Sequence, residues 1–346
     1  MTIKYIPIFL RHAATPRIEH FAILAGLEAT VRGLMVSVMP LVIYDALGDA
    51  VLVSRVYFLV GLVSLIWGLL VPGLTQKLPR RWMYSAGCGL YLAGMAMAMF
   101  GGPVLVPLAV GANALGTVTV FVCFNAYVLD YVARSDLGRT QSLQMFYAAT
   151  PWVVGPMLGV WLRSIWAPLP FIAGAAAAAT LLGVFWWLRL GNGRQIARAQ
   201  GPAVNPLGYL NRFFHQPRLV AGWLFAVIRS CGWWVYIIYL PIFCIEAGLG
   251  EHVGGMALSL SNALLFTTPL LARLVRRFTV RRTVRGAFIL CMAGFALATA
   301  LSGMPWAVVA CLLIASAGLV TLDAAGNLPF MMAVKPSERV EMAAVF

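Results

Sequence analysis

The sequence predicts an all-α membrane bundle of ten spanning helices. Of its 346 residues, 62% are hydrophobic and only 10% are charged. The mean hydropathy is +0.88, and the apolar residues run in long unbroken stretches. Water-soluble domains carry roughly 25% charged residues. A helix needs about 20 mainly apolar residues to cross a bilayer, whereas a barrel strand alternates over about 10.

In chain order, the stretches of spanning length are 19–44, 51–74, 82–100, 104–131, 140–162, 167–188, 219–245, 252–272, 284–301 and 306–333. Gly101-Gly102-Pro103 separates the third from the fourth, and Ser302-Gly303-Met304-Pro305 the ninth from the tenth. Of the 25 Lys and Arg, all but Arg32, Arg55, Arg163 and Arg229 fall before span one, after span ten, in the even-numbered loops or, for Arg285, at the edge of span nine next to such a loop. The positive-inside rule makes those segments cytoplasmic, together with the N-terminus. The formal charge of +14 is then a topological signal, and no nucleic-acid partner is expected. Residues 1–18 have no convincing small-residue cleavage site after Tyr5–Leu10, so they read as a lead-in to an uncleaved span. The six cysteines (Cys88, Cys123, Cys231, Cys244, Cys291, Cys311) lie in apolar spans without paired spacing, and read as small buried hydrophobes.

The chain repeats itself. Leu92–Ala98 in span three resembles Met292–Ala298 in span nine, 200 positions later. Pro103 and Pro305 differ by 202, as do Asn125 and Asn327, while Arg134 and Lys335 differ by 201. Such an offset covers six spans, an even number, so the two copies share one orientation. Parallel halves of this kind are a transporter architecture. The expected organisation is a six-helix N-terminal bundle (1–189), a cytoplasmic linker (190–217) and a partial C-terminal bundle (218–346) of four helices plus the start of the next. The chain is therefore expected to be a fragment or a shortened protein lacking two spans; a complete ten-span protein is the alternative.

Two motifs carry a family resemblance. Pro72-Gly73-Leu74-Thr75-Gln76-Lys77-Leu78-Pro79-Arg80-Arg81 resembles the G-x-L-x-D-R-x-G-R-R loop of the major facilitator superfamily. Leu74, Lys77, Arg80 and Arg81 match, but the aspartate is missing. Pro151–Val160 in span five is similar to that family's G-x-x-x-G-P-x-x-G-G antiporter motif, retaining Gly155, Pro156 and Gly159. The same glycines are also what close helix contact requires, and that reading stays open. The resemblance implies a major-facilitator-like bundle working by alternating access, with no cofactor, in a plasma (cell inner) membrane and as a monomer. It assigns gating roles to Lys77, Arg80, Arg81, Gly155, Pro156 and Gly159. The charged cluster Asp130, Arg134 and Arg139 at the end of span four reads as gating or anchoring.

Ionisable groups deep in a membrane are costly and mark functional sites by default. Span one holds Glu28 and Arg32, span seven Arg229, and span ten Asp323 with Asn327 one turn on. Spans one, seven and ten line the central cavity in the family that the chain resembles. Glu28 and Asp323 are the candidate proton-coupling groups, and Arg32 and Arg229 the candidates for an anionic substrate group. The competing reading of Glu28–Arg32 is a neutralised structural pair. Asn125, Tyr127, Gln144, Trp233, Tyr236 and Asn327 are possible substrate contacts. No H-E-x-x-H, G-x-S-x-G or Gly-rich loop ending in Gly-Lys occurs, and the four histidines are scattered, which argues against an enzyme and against a metal site. The expectation is proton-coupled efflux of a small organic solute by antiport. Proton-coupled uptake of an organic anion is the alternative, and a non-transporting sensor or scaffold lies further off.

Overall fold

Apolar runs bounded by Gly, Pro and Asp give helices with short turns between them. In the computed structural model, residues 17–132, 137–188, 213–267, 270–271 and 277–325 are described, without the side chains of 76, 129–130, 137–139, 141–142 and 324–325. The helices are α1 (Ile18–Leu47), α2 (Ala50–Lys77), α3 (Arg80–Phe100), α4 (Leu105–Tyr131), α5 (Leu137–Ile165), α6 (Leu169–Trp187), α7 (Pro217–Glu246), α8 (Glu251–Ala263), α9 (Val280–Ala300) and α10 (Pro305–Ala325). Gly48 ends α1 with φ 65°, a left-handed conformation that glycine adopts without a Cβ penalty. The Asp49 carboxylate then caps α2 by accepting from Val51 N at 2.8 Å.

Among the described residues, nine helices are long and apolar enough to cross a membrane. The eighth expected span, 252–272, differs. Its helix α8 gives way after Ala263 to a 3₁₀ turn over Leu264–Thr267, and residues 270–271 are again helical. Pro269 lies between them in the sequence; it lacks the N–H that a continuing helix needs and disfavours helical geometry in the residue before it.

The chain divides into two compact units, Met1–Gln200 and Gly201–Phe346. In the first, α1 packs most extensively on α5 and α3 on α4, while α6 covers α1 and α3. In α2 only 6% of the apolar window is buried, and Phe58, Leu62, Leu65 and Leu69 are exposed. An apolar surface this continuous belongs in lipid.

The α1–α5 seam is built from small residues. A methyl group added at Gly155 would come within 3.0 Å of three Gly33 backbone atoms, and one at Gly159 would overlap the Leu34 carbonyl. Ser37 Oγ donates to the Pro156 carbonyl at 2.7 Å. At the far end of the same two helices, Arg163 pairs with Asp45.

In the second unit α9 packs on α10 and α7 on α8, with α10 also reaching α7 and α8. The α3–α4 and α9–α10 crossings match residue by residue. Gly94 faces the Ala109 carbonyl and Asn113, and Gly294 faces the Cys311 carbonyl and Ala315. Gly116 meets Gly87 O and Tyr91 N, and Gly318 meets Ala287 O and Cys291 N. Five of the six cysteines are buried as expected, but Cys231 is exposed.

Candidate functional site

Each unit holds a carboxylate–guanidinium pair within its apolar helices. In the first, helical spacing places Glu28 and Arg32 one turn apart on α1. Arg32 Nη1 lies 3.5 Å from Glu28 Oε1, with the side chains 35% and 18% exposed. The guanidinium also sits over the Trp152 ring of α5, 5.0 Å from its centroid. From α3, Tyr91 Oη reaches the same Glu28 Oε1 at 3.1 Å. It also lies 3.0 Å from Thr117 Oγ1 of α4, whose hydroxyl is placed to donate to the Asn113 carbonyl at 2.9 Å. The carboxylate therefore has partners from its own helix and from a neighbour, as a charge removed from water requires.

In the second unit Arg229 and Trp233, one turn apart on α7, hold Asp323 of α10 like a fork. Arg229 Nε is 3.3 Å from Asp323 Oδ1, and Trp233 Nε1 donates to Oδ2 at 2.7 Å. Trp233 hydrogen-bonds one carboxylate oxygen, while Arg229 Nε meets the other as an ion pair without hydrogen-bond geometry. The Arg229 guanidinium lies 5.9 Å from the Phe225 ring centroid, and Trp233 meets Tyr236 edge-on at 6.0 Å. Tyr236 is itself buried, its Oη 2.5 Å from Ser261 Oγ of α8.

The other sequence candidates scatter. Tyr127 is 1% exposed, set among Phe185, Tyr131 and the Arg80 guanidinium, which lies 5.2 Å from its ring centroid. Gln144 is buried and Asn125 half-buried. The loop motif straddles a turn: Lys77 is exposed at the end of α2, and Arg81 is half-buried in the first turn of α3. Gly155, Pro156 and Gly159 all lie in the α1–α5 seam. Asn327 and Arg134 lie outside the described residues, as do the side chains of Asp130 and Arg139. Among the described residues, no group of three or more His, Cys, Asp or Glu could hold a metal ion.

Sequence reasoning missed Tyr91, Thr117 and Trp152 as partners of the first pair. A signal existed for Tyr91: a tyrosine in mid-span rather than at the membrane interface needs an internal partner for its hydroxyl.

The Major Facilitator Superfamily profile matches residues 21–346. The chain belongs to the Major Facilitator Superfamily. As a member, it is an integral multi-pass membrane protein and a secondary transporter, not an enzyme. No curated protein matches it. Its fold is that of solved facilitators. A mutant form of the nucleoside transporter NupG superposes with a TM-score of 0.71 at 14% identity, over 95% of this chain and 86% of that one. The xylose transporter XylE from E. coli gives 0.64 at 13% identity, over 95% and 88%. A bacterial homologue of the iron transporter ferroportin gives 0.66 at 16% identity, over 95% and 86%. At such identities the likeness is one of facilitator fold alone.

Proposed function

We propose that this facilitator exports a small organic solute in exchange for protons, by alternating access between a six-helix N-terminal bundle (1–189) and a C-terminal bundle (218–346) joined by 190–217, with the N-terminus cytoplasmic in a cell inner membrane. One observation carries the reading: each compact unit keeps a carboxylate in its apolar helices beside an arginine, Glu28 by Arg32 and Asp323 by Arg229. Buried charge of this kind is costly to keep unless it works. A carboxyl that neutralises when the site changes partners can carry a proton. Glu28 and Asp323 are the proposed proton carriers. Arg32, Arg229, Trp233 and Asn125 are proposed to contact solute, with Lys77, Arg80 and Arg81 gating.

The second reading is uptake of an organic anion together with protons. Its support is Arg32, whose side chain is 35% exposed although paired, leaving a guanidinium edge for an anionic group. Inverted vesicles with an imposed inside-acid gradient, monitored by a pH-sensitive dye, separate the two. A panel of organic cations, anions and neutral solutes is added in turn. Antiport predicts that at least one solute discharges the gradient and accumulates, and that Glu28→Gln and Asp323→Asn abolish the effect. Accumulation of no solute, or unaltered coupling in both variants, refutes it.

A further inference from the structure

Around Glu28 the hydrogens can be counted. Glu28 Oε1, Tyr91 Oη, Thr117 Oγ1 and Asn113 O stand in a row at successive distances of 3.1, 3.0 and 2.9 Å. That makes three contacts at hydrogen-bond distance, and the two hydroxyls supply two hydrogens between them. While Glu28 is ionised, one of the three contacts has no hydrogen to share; with Tyr91 donating to the carboxylate, it is the Tyr91–Thr117 or the Thr117–Asn113 contact. Tyr91 is 1% exposed, so water does not readily complete its bonding.

We propose that Tyr91 and Thr117 are positioning residues that build a receptor for one proton on Glu28, the missing third hydrogen of this row. The inference rests on the reading of Glu28 as a proton carrier. On uptake, an O–H bond forms at Glu28 from a proton delivered by the aqueous phase. Glu28 then donates to Tyr91 Oη, Tyr91 to Thr117 Oγ1, and Thr117 to Asn113 O. All three contacts are filled, and both hydroxyl hydrogens point away from the carboxyl. On release the O–H bond breaks, Tyr91 turns back to donate to the carboxylate, the Tyr91–Thr117 contact loses its hydrogen, and Thr117 keeps its bond to the Asn113 carbonyl.

Oε1 also receives Arg32 Nη1, so the arginine and the added proton compete for the same oxygen. The other groups around Glu28 are limited. On α3, Tyr84 and Cys88 are buried uncharged groups, as is Tyr91. From α4 this row includes the uncharged Thr117 hydroxyl. In α5, Trp152 lies against Arg32 and Tyr147 against Gly26. The α6 segment contains no ionisable side chain.

A structural role for these hydroxyls is disfavoured by the second unit. The α9–α10 crossing repeats the glycine contacts of α3–α4. At the positions that correspond to Tyr91 and Thr117 it carries Cys291 and Leu319. Cys291 there makes a thiol contact to the Ala315 carbonyl at 3.5 Å, so a crossing of this type holds without the two hydroxyls.

The test is infrared difference spectroscopy on the purified chain in liposomes, stepping the pH from about 5 to 9 with protons as the only ligand. The carboxyl C=O band of Glu28 is identified by its loss in Glu28→Gln. Thr117→Val removes the acceptor at the end of the Tyr91 bond, so the proton affinity of Glu28 should fall about fivefold, the worth of one neutral hydrogen bond. Thr117→Ser should restore it, and in a Tyr91→Phe background Thr117→Val should add nothing. Thr117→Ala replaces Thr117→Val if the latter does not fold. An unchanged affinity in the apolar variant, no rescue by serine, or an undiminished effect without the Tyr91 hydroxyl overturns the inference. No Glu28-dependent band at any pH would instead overturn the proton-carrier reading itself.

Discussion

Gly155→Ala tests whether the span-five motif is a helix seam. The added Cβ would fall within 3.0 Å of the C, O and Cα atoms of Gly33, whereas carbon atoms rest at about 3.5–4.0 Å. Both partners are backbone, so no side chain can swing aside. The α1 and α5 axes must part by about 1 Å. Overfilling of this kind costs about 1–3 kcal/mol. The Ser37–Pro156 hydrogen bond, now 2.7 Å, would stretch with it and lose about 1 kcal/mol more. The expected loss is about 2–4 kcal/mol, read by denaturant unfolding in detergent with tryptophan fluorescence. Gly61→Ala is the matched control. It lies within α2 with nothing inside 4 Å of the new methyl, and should be neutral or up to about 1 kcal/mol stabilising. If the two variants unfold within about 0.5 kcal/mol of each other, the close approach of α1 and α5 is wrong.

Double-mutant cycles on stability should separate the two charge pairs. Glu28/Arg32, spaced as a single-helix pair, should couple by about 0.2–0.5 kcal/mol. Arg229/Asp323, which links two helices through a part-buried contact, should couple by about 1–3 kcal/mol; equal values would contradict the geometry. Maleimide labelling of the native protein should modify Cys231 alone among the six cysteines, since the other five are buried. Labelling that persists after Cys231→Ser refutes the α7 orientation.

The helices were legible because lipid imposes a simple rule: backbone groups must be satisfied within the segment, so length and apolarity suffice to locate a span. Where the rule weakened, so did the reading. The eighth stretch was apolar to residue 272, yet α8 ends at Ala263 and gives way to a 3₁₀ turn, a change of helix type that hydropathy does not register. Glu28, Arg32, Arg229 and Asp323 stood out as charges among apolar residues, and the structure pairs each with another of the four. What surrounds them was not legible. Trp152 and Tyr91 look like ordinary span residues until α5 and α3 lie against α1. Tyr127, read as a possible solute contact, is enclosed by the aromatic rings of its own unit. Nothing in its local sequence distinguishes these two situations.

The two pairs differ in what can break them. Glu28 and Arg32 precede Arg229 and Trp233 by the same 201 positions, so α1 and α7 each contribute to a charge pair from residues at one common offset. In α1 the acid and base share one helix, and no rigid movement of that helix can separate them. Only a change of rotamer or the arrival of a proton can, and Tyr91 and Thr117 stand where a proton would be held. In α7 the acid comes from α10, so Arg229–Asp323 and Trp233–Asp323 persist only while those helices keep their contact. Under the proposed proton exchange, the first pair would answer to protons and the second to helix displacement. The proposed exchange cycle needs both kinds of response, and the two pairs would supply them by differing only in where the carboxylate comes from.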